Sequence, residues 1–229
     1  MNKKLLTITL LILLILELTL LLNTQLGFIL YAIIVLGTLI GLTALEDLRK
    51  YSIDTKLITF LMIIPIVRMA EIFSNFDSIF RIAVVYLSLF FLVAFYLLKF
   101  KVNIGFTLKG IKFLPIALVV GIALGFIGNL FFNLEKNLFL FSLIAIISYS
   151  EEVFFRGLVQ NTVREGYGII WSLIVPSVLV FIFTLSLGIL PAIFFFFVSL
   201  VTSTIYSWNK NIFIALIINL LVSVIMFAL

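Results

Sequence analysis

Two adjacent glutamates and an arginine, Glu151, Glu152 and Arg156, sit inside an otherwise apolar run. With Ser148, Tyr149, Ser150, Gln160 and Asn161 they place eight polar side chains within fourteen positions. On a helix Glu152, Arg156 and Gln160, spaced four apart, share a face, and Glu151 lies about 100° round from it. Adjacent carboxylates in low dielectric titrate as a coupled pair. A neighbouring arginine can hold one of them ionised while the other serves as a base, and such an arrangement can activate a water. The same residues can equally form a buried ion-pair knot that fixes helix packing.

The chain contains neither cysteine nor histidine. Disulfides, thiolate nucleophiles and imidazole bases are therefore excluded. Two carboxylates without imidazole make a poor zinc site, so neither a metal nor another cofactor is expected. Ionisable groups within apolar spans cost roughly 2.5 to 3.5 kcal/mol each on insertion scales, so each calls for a partner or a role. Glu17 stands alone in its run and reads as a protonated or helix-paired carboxyl. Arg68 and Glu71, three apart, share a helical face and read as a structural ion pair near the outer boundary.

The elements that must position these groups follow from composition. Of 229 residues 65% are hydrophobic and 11% are charged, with a mean hydropathy of +1.40. A soluble domain carries about a quarter charged residues. The apolar runs are continuous rather than alternating, which indicates transmembrane helices and not a β-barrel. The expected fold is all-α, a polytopic transmembrane helical bundle. The net charge of +5 sits in short clusters between apolar runs, as membrane-protein loop charges do, and does not indicate nucleic acid.

The first run, Leu5 to Leu22, lacks a small-residue cleavage site and is longer than a signal-peptide core, so it reads as a retained span. Further spans are expected at about Gly27 to Leu45, Leu57 to Phe73, Ile79 to Leu98, Phe113 to Phe132, Leu138 to Gln160, Ile169 to Gly188, Pro191 to Ser207 and Ile212 to Leu229. With a cytoplasmic N-terminus, Lys3, Lys4, Arg49, Lys50, Lys56, Lys99, Lys101, Lys109, Lys112, Arg164 and Lys210 fall inside, and only Arg81 and Lys136 fall outside. That asymmetry favours nine spans; eight result if the Leu138 or Pro191 segment is re-entrant. The polar stretch Lys99 to Lys112 divides a four-span region, 1–100, from the region 101–229 that holds the polar cluster. No internal repeat is evident.

At Glu151, Glu152, Arg156, Gly157 and Leu158 the chain resembles the CPBP superfamily, which takes in type II CAAX prenyl endopeptidases and bacteriocin-processing or self-immunity proteins. The family's first motif, EExxxR, stands here in full. A lead-in of Ile104, Gly105 and Phe106 with Lys109 is also similar, and the resemblance runs from about Ile104 to the C-terminus. The family's second motif, FxxxH, aligned through Trp171 and Ser177, puts its Phe on Phe181 and its His on Leu185. Its third, HxxxN or HxxxD, aligned through Asn211, Phe213 and Ala215, puts its His on Asn219 and its Asn on Ser223. The resemblance implies that the glutamates activate water while the histidines and Asn orient it and stabilise the oxyanion. Leu185 can do neither; Asn219 and Ser223 can donate hydrogen bonds but cannot exchange protons near neutral pH.

The family-motif positions Glu151, Glu152, Arg156, Asn219 and Ser223 are therefore the candidate site. The leading expectation is a pseudoprotease in the cell membrane that holds a membrane protein or a prenylated or helical peptide without cutting it. The alternatives are an active endopeptidase, with Glu151 as base and Asn219 and Ser223 as oxyanion donors, and a transporter or structural subunit of a membrane complex. Partners are expected among membrane lipid, membrane proteins and prenylated peptides.

Overall fold

In hydrocarbon the backbone groups of an apolar run must be paired within that run, and this makes the long apolar segments helical. A computed structural model describes residues 3–44, 57, 60–73, 78–100, 105, 108–131 and 138–228. Among them are helices and no strand, so the fold is an all-α bundle. Arg49, Lys50, Lys56, Lys101, Ile104, Phe106 and Lys136, used above for orientation or resemblance, lie outside the described residues.

The N-terminal part contains α1 (Lys3–Leu22), α2 (Thr24–Ala44), α3 (Ile63–Phe73) and α4 (Ser78–Phe100). Asn23 joins α1 to α2, and its Oδ1 accepts the Leu26 amide at 3.0 Å, capping α2. The chain reverses here, because Tyr31 reaches back to Glu17 at 2.6 Å, far nearer than their separation along one straight helix would permit. Helix α3 is the C-terminal part of the span expected from Leu57, and Leu57, Phe60 and Leu61 ahead of it are helical too. Pro65 stands in its first turn, where the missing N–H leaves no intrahelical bond unmade.

In the C-terminal part a 3-10 turn (Leu108–Phe113) leads into α5 (Leu114–Phe131). Next comes α6 (Leu138–Glu152), which passes without a break through a π-helical stretch (Val153–Gln160) into α7 (Asn161–Tyr167). Helix α8 (Ile169–Thr184) closes in a 3-10 turn (Leu185–Leu187), and α9 (Ile189–Asn209) and α10 (Ile212–Ala228) complete the bundle. Among the described residues Ile111–Leu130, Ile169–Leu187 and Ile189–Asn209 are long and apolar enough to cross a membrane.

Two contacts set α10, the helix that bears Asn219. Gly121 and Gly125 of α5 face Leu221 and Ile225, and a β-carbon added at Gly125 would stand 2.8 Å from that of Ile225. Small residues thus let the two helices run close together. At the other end Gly105, with φ +73, lies so near the Lys210 carbonyl oxygen that a β-carbon would collide with it. Only glycine combines that backbone angle with that approach, so Gly105 is pinned to the α9–α10 turn.

The larger apolar core joins Leu13, Leu16, Phe60, Val67 and Leu89 of the N-terminal part to Phe154, Phe155, Leu158 and Leu179. It crosses the boundary that the polar stretch after Phe100 suggested. A smaller core, including Ala117, Val198, Ile218 and Val222, ties α5 and α9 to α10. All eight residues of the π-helical stretch are buried, so this segment is enclosed on every side.

Candidate carboxylate site

Glu151 and Glu152 end α6, and the π-helical stretch then carries Arg156 and Gln160. The wider i→i+5 turn still leaves residues four apart on one face, and that face meets α9. The Arg156 Nε lies 3.3 Å from Glu152 Oε2, and its Nη2 donates to the Thr202 hydroxyl. Gln160 Nε2 donates to the Ser203 carbonyl and the Ser207 hydroxyl, both at 2.9 Å. The next residue, Asn161, donates to the Tyr206 hydroxyl at 2.9 Å. The polar stripe along α9 thus satisfies groups that apolar packing would strand.

Asn219 bridges the two carboxylates. Its Nδ2 donates to Glu151 Oε2 at 2.9 Å and to Glu152 Oε1 at 3.0 Å. Ser223 stands behind it, with its hydroxyl 3.5 Å from Asn219 Oδ1. The remaining oxygen, Glu151 Oε1, accepts from the Tyr86 hydroxyl of α4 at 2.7 Å. Three of the four carboxylate oxygens therefore accept a hydrogen bond from the protein, and the fourth, Glu152 Oε2, is ion-paired with Arg156 without one. Glu152 and Arg156 are each 2% exposed, whereas Glu151, Asn219 and Tyr86 are half-buried.

A second charged group lies in the N-terminal part. Glu17, fully buried, is not alone: its Oε1 is 2.8 Å from Arg68 Nη2, and its other oxygen accepts from Tyr31. Arg68 also pairs with Glu71, as the three-residue spacing suggested, and donates to the Phe183 carbonyl and, at 3.3 Å, to the Ser186 hydroxyl. Arg68 therefore grips the turn that contains Leu185, itself 3% exposed. Its guanidinium sits 4.9 Å from the Phe183 ring centroid, and that ring stands edge-on to Tyr86 with centroids 6.1 Å apart. The two groups are joined through Phe183 and Tyr86.

The structure brings together all five residues of the sequence-derived site, Glu151, Glu152, Arg156, Asn219 and Ser223. Sequence reasoning missed Tyr86, Thr202 and Ser203. A tyrosine in an apolar run carries no signal of its own, since its ring suits the interior. The Thr202, Ser203, Tyr206 and Ser207 spacing on one helical face was a readable sign of buried polar work. Among the described residues no group of three or more His, Cys, Asp or Glu side chains could hold a metal ion.

Paired carboxylates are thus held by an arginine four residues on from Glu152 and by an amide from the last helix. Residues 133–225 match the type II CAAX prenyl endopeptidase Rce1-like family. The Rce1-like segment spans α6 to most of α10 and includes all five candidate residues. It begins after the Gly105 lead-in and α5, and leaves Tyr86 and Arg68 outside. Comparison with curated proteins and with solved structures gave no match. The chain is accordingly an all-α protein with helices long and apolar enough to cross a membrane, and its segment 133–225 is similar to that family.

Proposed function

We propose that this protein is a pseudoprotease, which holds a membrane partner or a prenylated or helical peptide at the Glu151–Asn219 site without cleaving it. One observation carries the reading. Glu151 and Glu152 accept three hydrogen bonds from Tyr86 and Asn219, and the remaining oxygen, Glu152 Oε2, is ion-paired with Arg156, so both carboxylates are engaged in holding the helices together. Hydrolysis also requires oxyanion stabilisation and a protonated leaving amine. Leu185 stands where the resemblance sets one histidine and Asn219 where it sets another, and the chain has no histidine at all. The Lys and Arg distribution supports nine spans in the cell membrane with a cytoplasmic N-terminus and a division near Phe100.

The test is equilibrium binding of a fluorescent farnesylated peptide to the full chain in nanodiscs, with the peptide recovered afterwards and weighed by mass spectrometry. Saturable binding with intact recovery, weakened in Glu151→Ala, is the expected outcome. Shortened peptide, or no binding by this peptide or by a transmembrane peptide, would overturn the reading.

A further inference from the structure

We propose that the seam between the π-helical stretch and α9 binds a short row of internal water molecules, which links the Glu152–Arg156 pair to the α7 end of the bundle through the protein. This goes beyond the binding function proposed above and does not depend on it.

The two elements run in the same direction and in register. Arg156 bonds to Thr202, Gln160 to Ser203 and Ser207, Asn161 to Tyr206, and Arg164 to the Ser207 carbonyl. Glu152, Arg156 and Gln160 form one row along this seam, and Ser148 continues it one turn earlier; Ser199 and Ser203 stand four apart on α9. All six residues are buried, and each keeps a polar atom with no hydrogen-bond partner: Ser148 Oγ, Glu152 Oε2, Arg156 Nε and Nη1, Gln160 Oε1, Ser199 Oγ and Ser203 Oγ. The ion pair accounts for Glu152 Oε2 and Arg156 Nε, which lie 3.3 Å apart. Five atoms remain.

The serines show that these atoms belong to the seam. Elsewhere in the bundle a helical hydroxyl bonds back to the carbonyl four residues earlier, as those of Ser150, Ser177 and Thr204 do. The hydroxyls of Ser148, Ser199 and Ser203 make no such bond. Stranding a buried polar group is costly, and native proteins keep few of them; here they are gathered along one interface. The guest that serves them must donate to Gln160 Oε1 and accept from Arg156 Nη1. A cation is repelled by Arg156 and an anion by Glu152, whereas water donates and accepts. A buried water makes about three hydrogen bonds to such groups, so about two or three waters, bonded also to one another, serve the five atoms. Beyond Gln160 the polar row continues through Ser207, Asn161 and Tyr206 to half-buried Arg164 and exposed Glu165. At its other end Glu152 meets the row through Oε2 while Oε1 keeps its bond from Asn219.

Two measurements on the full chain test this. In thermal unfolding in mixed micelles, Ser199→Ala and Ser203→Ala should each lower the midpoint by about 2–4 °C, the shift that one lost hydrogen bond makes in a chain of this size. A dry hydroxyl behaves the other way, because its loss relieves a stranded group and leaves the midpoint unchanged or raised. In nanodiscs, millisecond X-ray pulses generate hydroxyl radicals from water in place, and mass spectrometry reads the side chains they oxidise. Tyr206, 3% exposed at the α7 end of the row, should be oxidised well above Tyr31, which is as fully enclosed but packed against Glu17. Ser203→Ala should reduce the Tyr206 signal and leave that of Tyr31 as it was. Midpoints unchanged or raised in both serine variants, or Tyr206 oxidised no more than Tyr31, overturns the inference, and neither result bears on peptide binding.

Discussion

Replacing Arg156 by methionine isolates the buried charge pair. Methionine fills much of the same volume, so the change removes charge and hydrogen bonds more than packing. Arg156 is 2% exposed, its Nε lies 3.3 Å from Glu152 Oε2, and Glu152 is equally buried. Losing one member of such a pair strands the other and costs about 3–5 kcal/mol. Thr202 adds little, because its hydroxyl also lies 3.0 Å from the carbonyls of Val198 and Ser199. Glu151→Ala removes the bonds from Tyr86 and from one arm of Asn219, about 1–3 kcal/mol together. Asn219 keeps its bond to Glu152. Arg156→Met should therefore destabilise by about 2 kcal/mol more than Glu151→Ala. Combining Arg156→Met with Glu152→Leu should recover most of the loss, since an apolar replacement of a whole buried pair is close to neutral. Reversible unfolding in mixed micelles, followed by far-ultraviolet circular dichroism and by Trp171 and Trp208 fluorescence, measures all three. Equal losses for the two single variants, or a double variant less stable than Arg156→Met, would refute the reasoning.

The same unfolding assay checks three further expectations. Gly105→Ala should lose at least about 1–2 kcal/mol from the backbone angle alone, with the clash against Lys210 added; an unchanged midpoint would show that Gly105 is not pinned. Arg68→Met should lose about 3–5 kcal/mol by stranding Glu17, and Glu17→Gln in the same chain should recover part of it. Gly125→Leu should separate α5 from α10 and lower stability beyond the effect of Gly37→Leu, where an added β-carbon meets nothing.

The helices were legible because hydropathy alone dictates them: the expected spans Ile79 to Leu98, Phe113 to Phe132 and Ile212 to Leu229 differ from α4, α5 and α10 by a few residues. The boundary after Gln160 was not. The helix runs on to Tyr167, because Asn161 and Arg164 find partners on α9 that no local pattern announces. Glu152, Arg156 and Gln160 could be placed on one face by counting, and a π-helical turn preserves that. The π geometry itself left no mark in the sequence, whose run there is apolar and buried throughout. Arg68 with Glu71 was readable at helical spacing, whereas the pairing with Glu17 joins helices that only tertiary packing brings together. Tyr86 was hidden for the same reason: it meets Glu151 across the bundle.

The central claim is a carboxylate site arranged for holding and not for cutting. Mass spectrometry of a prenylated peptide incubated with the purified protein in nanodiscs tests it directly, with Leu185→His, Asn219→His and Ser223→Asn introduced together in a parallel sample. The unmodified chain should leave the peptide whole, and any cleavage gained by the triple variant should vanish when Glu151→Ala is added. Cleavage by the unmodified chain that the same glutamate change abolishes would contradict the account and establish a histidine-free hydrolysis.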